Sequence, residues 1–116
     1  MARRIRNRQK RINDTLRFLK IHSRYVNHIR LHRSTTPEHM DAICKICIEL
    51  RKHDKDFVTE AEFITGGRAD IVVLEDSIAF EVLHTETTDR FDNKNYPIPT
   101  YPVLSKDAKN FRGDKL

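Results

Sequence analysis

The sequence predicts an α+β domain in which a small mixed β-sheet carries flanking helices and is preceded by a basic N-terminal helix. Three observations lead there. Apolar residues recur at helical spacing behind a start signal in "STTPEHMDAICKICIELRKHDKD". The period then shortens to that of strands through "DFVTEAEFITGGRADIVVLEDSIAFEVLHTE". Finally, "TYPVLS" follows a second helix-like stretch, and a helix between two strands allows them to run parallel.

Taken in order, Ile12, Leu16, Leu19, Val26 and Ile29 lie on one helical stripe, which predicts an amphipathic helix from Arg11 to Leu31. The first ten residues offer only Ala2 and Ile5 for burial and read as a flexible arm. In the next helix Thr36 is placed to cap, Pro37 suits the first helical position, and Glu38 meets the positive end of the helix dipole. Met40, Ile43, Cys44, Cys47 and Leu50 form its apolar stripe, and the helix should end near His53. Cys44 and Cys47 fall on that stripe and no second pair exists, so they read as core packing rather than a metal or redox pair.

Three β-rich runs follow at 57–64, 69–75 and 78–84, parted by Gly66-Gly67 and Asp76-Ser77, as in an antiparallel meander. "TETTDRFDNKNYP" has the composition of a helix start, with Pro97 as its stop. The chain thus divides into a basic arm and helix, residues 1–35, and a core, residues 36–116.

Charge is unevenly spread. Residues 1–33 hold 11 of the 22 Lys and Arg and a single acid, Asp14, a net +10; the rest has 11 bases against 16 acids, or −5. A basic segment suits a polyanion, because neutralising phosphates releases condensed counterions; Arg3, Arg4, Arg6, Arg8, Lys10 and Arg11 are the candidate contacts. His22, His28 and His32 read as part of the same polar face. No apolar run is long enough to cross a bilayer, the N-terminus lacks the apolar stretch of a secretion signal, and two closely spaced cysteines suit a reducing compartment; the expected location is cytoplasmic.

The informative feature is a carboxylate in each of two apolar runs. If the hairpin pairs around Asp76-Ser77, Asp70 and Glu81 are neighbours across a partly buried sheet. Two such carboxylates repel and call for a cation; Mg²⁺, which takes one or two carboxylates and keeps several waters, is the usual answer. Glu60 or Glu62, on the preceding strand, could add a third acid, although alternating Glu is also the ordinary pattern of a solvated strand face.

"GRADIVVLEDSIAFEVLHTE" resembles the core of the PD-(D/E)xK, or restriction-endonuclease-like, nuclease superfamily, in which an Asp opens one strand and Glu-x-Lys follows on the next. With "HMDAICKICIELRKHDKDFVTEAEF" ahead of it, the stretch is similar to small competence-protein-like and archaeal or viral nuclease-like members, over about residues 37–104. The resemblance implies a restriction-endonuclease-like core, with Asp70, Glu81 and the Val82 carbonyl holding Mg²⁺ or Mn²⁺, and Glu60 or Glu62 where some members place a further acid. Leu83 stands where the family has its lysine. Some members carry that lysine on the following helix, which makes Lys94 the substitute and Arg90 the second choice; His84, in the helix-entry pattern "HTE", could shuttle a proton. The expected function is Mg²⁺-dependent hydrolysis of phosphodiester bonds in DNA. Two alternatives stand beside it: a catalytically inactive DNA-binding module of the same fold, and a partner-binding protein whose acids are only a solvated face. A homodimer is compatible with each.

Overall fold

The computed structural model describes residues 2–20, 23–84 and 96–112, with side chains for 7–20, 24–84 and 96–112. It contains helix α1 (Ala2–Leu16), helix α2 (Pro37–Lys52) and strands β1 (Phe57–Glu62), β2 (Arg68–Val73), β3 (Ile78–Leu83) and β4 (Thr100–Leu104), followed by a 3-10 helix, Ser105–Asn110. The strands form one sheet in the order β1-β2-β3-β4, antiparallel at the first two junctions and parallel at the third. The chain is therefore α+β with a four-stranded mixed sheet and helices on both faces.

α2 forms where its local signals place it. The Thr36 hydroxyl accepts the His39 N–H, Pro37 occupies the first helical position, and the helix ends at Lys52 with His53 as its cap. Its stripe of Ala42, Ile43, Ile46, Cys47 and Leu50 packs on Phe57, Ile71, Val73, Phe80 and Val82, with Ala108 of the 3-10 helix completing the cluster. Each fully buried Leu or Ile contributes about 1.5–3 kcal/mol of apolar transfer free energy. Cys47 is part of this core, and burial pushes its thiol pKa up, away from reactivity.

On the opposite face, Ile12, Leu16 and Leu19 join Val58, Ala61, Phe63, Val72, Leu74 and Ala79 in a second cluster. The N-terminal helix differs from the expected one: it begins at Ala2, within the segment read as a flexible arm, and stops at Leu16 instead of running from Arg11 to Leu31. Tertiary hydrogen bonds take over beyond it. The Lys20 N–H donates to the Glu62 carbonyl at 2.8 Å, the Ile64 N–H to the Phe18 carbonyl at 2.9 Å, and Leu19 bridges Phe63. Asn27 is left-handed (φ 65°), a conformation Asn tolerates and a helix does not, and its backbone N–H donates to the Phe57 carbonyl at 2.7 Å. The described part of the segment therefore covers the outer edge of β1 with a 3-10 turn at Ser23–Tyr25 and irregular chain after it, and of the expected stripe Ile29 is left exposed.

α1 is fastened to the β2–β3 turn by polar contacts as well. Buried Thr15 donates to the Leu74 carbonyl at 2.7 Å, and Arg8 contacts the carboxylate of Glu75 through both Nε (3.1 Å) and Nη2 (2.8 Å) while Nη1 reaches Asp54 at 2.9 Å. Residues 7–20 thus belong to the same packed unit as the strands. Among the described residues no helix is long and apolar enough to cross a membrane. The helix expected in "TETTDRFDNKNYP" lies outside the described residues, apart from its last two positions.

Candidate active site

Register brings the expected acids together. Thr59 pairs with Ile71 and Ala61 with Ala69, which puts Glu60 opposite Asp70; Ile71 pairs with Phe80, which puts Asp70 opposite Glu81. Three carboxylates therefore occupy one row across β1, β2 and β3. The row marks a fork in the sheet. The β2–β3 ladder ends at Ile71 and Phe80, while β1–β2 pairing continues to Glu62 and Arg68, and β3–β4 pairing to Leu83 and Leu104.

Side chains replace the lost ladder. Glu81 Oε1 accepts the Asp70 N–H at 3.0 Å, and Asp70 Oδ2 accepts the Val82 N–H at 2.7 Å. These bonds hold both carboxyl groups at the fork.

Alternation also fails at this row. Regular strands would place Ala61 and Ala69 on the α2 face with Ile71, yet both pack with Val58, Val72 and Leu74 on the α1 face. The turn is made at Glu60, whose φ of 50° is left-handed. The Arg30 guanidinium holds this backbone by donating to the Thr59 and Glu60 carbonyls, at 2.9 Å each. Glu60 and Glu62 consequently do not form one solvated face: Glu62 is exposed, while the Glu60 side chain is only 11% exposed.

A cavity of about 400 Å³ opens on this row, bordered by the N-terminus of α2 and lined by His32, His39, Glu60, Arg68, Asp70 and His84 among others. Glu60 Oε2 lies 3.2 Å from His32 Nε2 and 3.5 Å from Arg68 Nη1, but makes no well-formed hydrogen bond although it is buried. Asp70 Oδ1 faces His39 Nε2 at 3.2 Å, and His39 Nδ1 faces His84 Nε2 at 3.0 Å.

Burial, and then the charge of Asp70, push the Glu81 pKa from its ordinary 4.5 up to about 8. Between those values the folded protein keeps a proton that the unfolded chain has released, so stability falls as pH rises through this window. Glu81→Gln should remove that dependence. In urea titrations the variant should match the parent near pH 4 and exceed it at pH 8, by on the order of a few kcal/mol. Parallel pH profiles for the two proteins would show that Glu81 is ionised without penalty.

Compared with known proteins, the chain matches no family model, no curated protein and no solved structure. The site is therefore judged on its own donors. Among the described residues no three His, Cys, Asp or Glu side chains converge as a ready metal cluster. Mg²⁺ does not need one, since one or two carboxylates and water suffice. A buried oxygen of Glu60 without a hydrogen bond and a carboxylate pair that keeps a proton in the absence of a cation are the donors a hard divalent ion would satisfy.

The remaining expected residues are distributed as follows. Val82 is buried in β3 beside Val103. Lys10 and Arg11 are exposed on α1. Arg8 is engaged with Glu75 and Asp54, inside the protein's own ion-pair network. Arg3, Arg4 and Arg6 lie on α1 with side chains outside the described residues, as do Lys94, Arg90 and His22 altogether. His32 is on the irregular segment before α2 and faces Glu60, instead of forming part of a helix face. Sequence reasoning missed His39 and Arg68. His39 carries a partial signal, three residues after the Thr36 cap, but its meeting with His84 depends on how α2 crosses the end of β3.

Proposed function

We propose that the chain is a Mg²⁺-dependent nuclease that hydrolyses phosphodiester bonds in DNA, with the ion held by Asp70 and Glu81 and, from β3, the Val82 carbonyl. The observation that carries this reading is the row of Glu60, Asp70 and Glu81 at the fork between β2 and β3. The restriction-endonuclease-like core belongs to the same proposal: a meander extended by a parallel strand presents one acid on its second strand and one on its third. When bound, Mg²⁺, or Mn²⁺ in its place, stabilises charge on the phosphate and lowers the pKa of the attacking water.

The chain's own residues complete the reading. Arg68 and His32 line the cavity on the Glu60 side, and the Arg68 guanidinium gives positive charge to a phosphate placed there. Lys10 and Arg11 stand on an exposed helix face suited to the DNA backbone. Leu83 offers no cation, so the lysine role passes to Lys94, as the resemblance implies, or to Arg68. A cytoplasmic location accords with two free cysteines.

Incubation of end-labelled duplex, branched and single-stranded DNA with the protein in Mg²⁺ and in EDTA tests the proposal. Cleavage in Mg²⁺ that EDTA abolishes is expected. DNA binding without cleavage of any substrate would favour the inactive DNA-binding module, which the apolar Leu83 makes the second reading. Absence of both would reject the nucleic-acid assignment.

The same binding assay addresses the basic helix. Lys10→Gln with Arg11→Gln should make the slope of log affinity against log salt shallower by about 2, each phosphate contact contributing roughly 0.9 on B-DNA. Anisotropy titrations across a salt series read this directly, and an unchanged slope would show that α1 does not touch the backbone.

A further inference from the structure

We propose that His39 Nδ1 and His84 Nε2 form the bite of a second metal site, selective for d-block divalent ions such as Zn²⁺, Co²⁺ or Ni²⁺, and separate from the carboxylate row. The two nitrogens stand 3.0 Å apart on rings whose centroids are 5.1 Å apart and inclined at 48°. With metal–nitrogen bonds of about 2.0–2.1 Å, that spacing corresponds to a ligand–metal–ligand angle of roughly 95°, within the range of six-coordinate or distorted four-coordinate ions.

The arrangement behind His39 supports the assignment. Its Nε2 faces Asp70 Oδ1 at 3.2 Å, the carboxylate–histidine pairing that fixes the tautomer and ring orientation of a metal ligand. With Nε2–H donating to Asp70, Nδ1 presents its lone pair toward His84. The proton between the two rings then belongs to His84 Nε2. Moving it to His84 Nδ1, the other neutral tautomer, leaves a lone pair on each of the two facing nitrogens, so that both can serve as ligands.

Both ligands stand on fixed backbone. His39 is the third residue of α2, where its N–H donates to the Thr36 hydroxyl at 3.2 Å. His84 directly follows β3, whose Val82 and Leu83 are paired with β4. They line the cavity beside Asp70, which leaves room for waters to complete the coordination sphere. Imidazole donors favour zinc, nickel, cobalt and copper over magnesium, so the class of ion follows from the ligands.

This site does not depend on the nuclease reading, because uptake can be measured with no DNA present. Calorimetric titration of the full chain with Zn²⁺, and the visible spectrum with Co²⁺, both in excess Mg²⁺, should show one ion per chain. His39→Ala and His84→Ala should each weaken uptake by more than tenfold; Asp70→Asn should weaken it by about 10- to 100-fold, as expected when the residue orienting a ligand is lost. His53→Ala, at the far end of α2, should leave it unchanged. Circular dichroism confirms folding, and His84 is exposed enough that its truncation leaves the core intact. The proposal is overturned if no ion is taken up, if both histidine variants bind as the parent does, or if excess Mg²⁺ competes and places the ion on the carboxylates instead.

Discussion

Asp70→Asn and Glu81→Gln should each lower Mg²⁺-dependent cleavage of DNA by at least about 10²- to 10³-fold, the scale of losing a group that stabilises transition-state charge. The amide variants are the informative ones. Asp70 and Glu81 accept the Val82 and Asp70 N–H groups, and an amide oxygen can go on accepting while its charge is removed. Alanine would delete the acceptor too and leave a backbone N–H unsatisfied at the fork, mixing folding with chemistry. DNA affinity should stay level or rise, because a negative charge facing phosphate is gone. Cleavage at the parent rate in both amide variants would remove these residues from the site.

The second large effect is structural. Arg8→Ala should destabilise the fold by about 3 kcal/mol, because Glu75, with a side chain only 4% exposed, loses its cation and, among the described residues, keeps the Asp56 N–H as a donor. Urea unfolding of the variant and of Glu75→Gln, alone and together, gives the coupling between the two. A loss below about 0.5 kcal/mol for Arg8→Ala would place the pair with ordinary surface ion pairs. Arg8 is one of six basic residues whose sequence pattern suits a DNA contact, and in the fold it pairs with acids of the chain itself. The acids that claim it, Glu75 and Asp54, lie 67 and 46 residues further along the chain.

The elements legible in the sequence are those whose determinants are local. The Thr36-Pro37-Glu38 start, the stripe of α2 and the turn formers at Gly66-Gly67 and Asp76-Ser77 act within a few residues, and α2, the meander and the parallel fourth strand follow from them. The adjacency of Asp70 and Glu81 was readable for the same reason, since one short turn sets the register of the hairpin. Distant contacts decided the rest. Continuation of the first helix past Leu16 loses to hydrogen bonds with the end of β1 and to the left-handed Asn27, neither of which the apolar spacing encodes. The histidine pair needs the N-terminus of α2 and the end of β3 to meet, and no periodicity carries that.

The left-handed backbone at Glu60 sets folding against the proposed chemistry at a single position. A residue with a Cβ loses about 1–2 kcal/mol in that conformation and glycine does not, so Glu60→Gly would suit the bend while emptying one end of the acidic row. A search for more stable variants of this protein would be drawn to glycine at 60, whereas the proposed nuclease activity would hold a carboxylate there. Asparagine and aspartate, which tolerate the left-handed region better than most side chains, lie between these two demands. Aspartate keeps the charge but shortens its reach by one methylene, so the pair of substitutions Glu60→Asp and Glu60→Asn would show which demand the position serves.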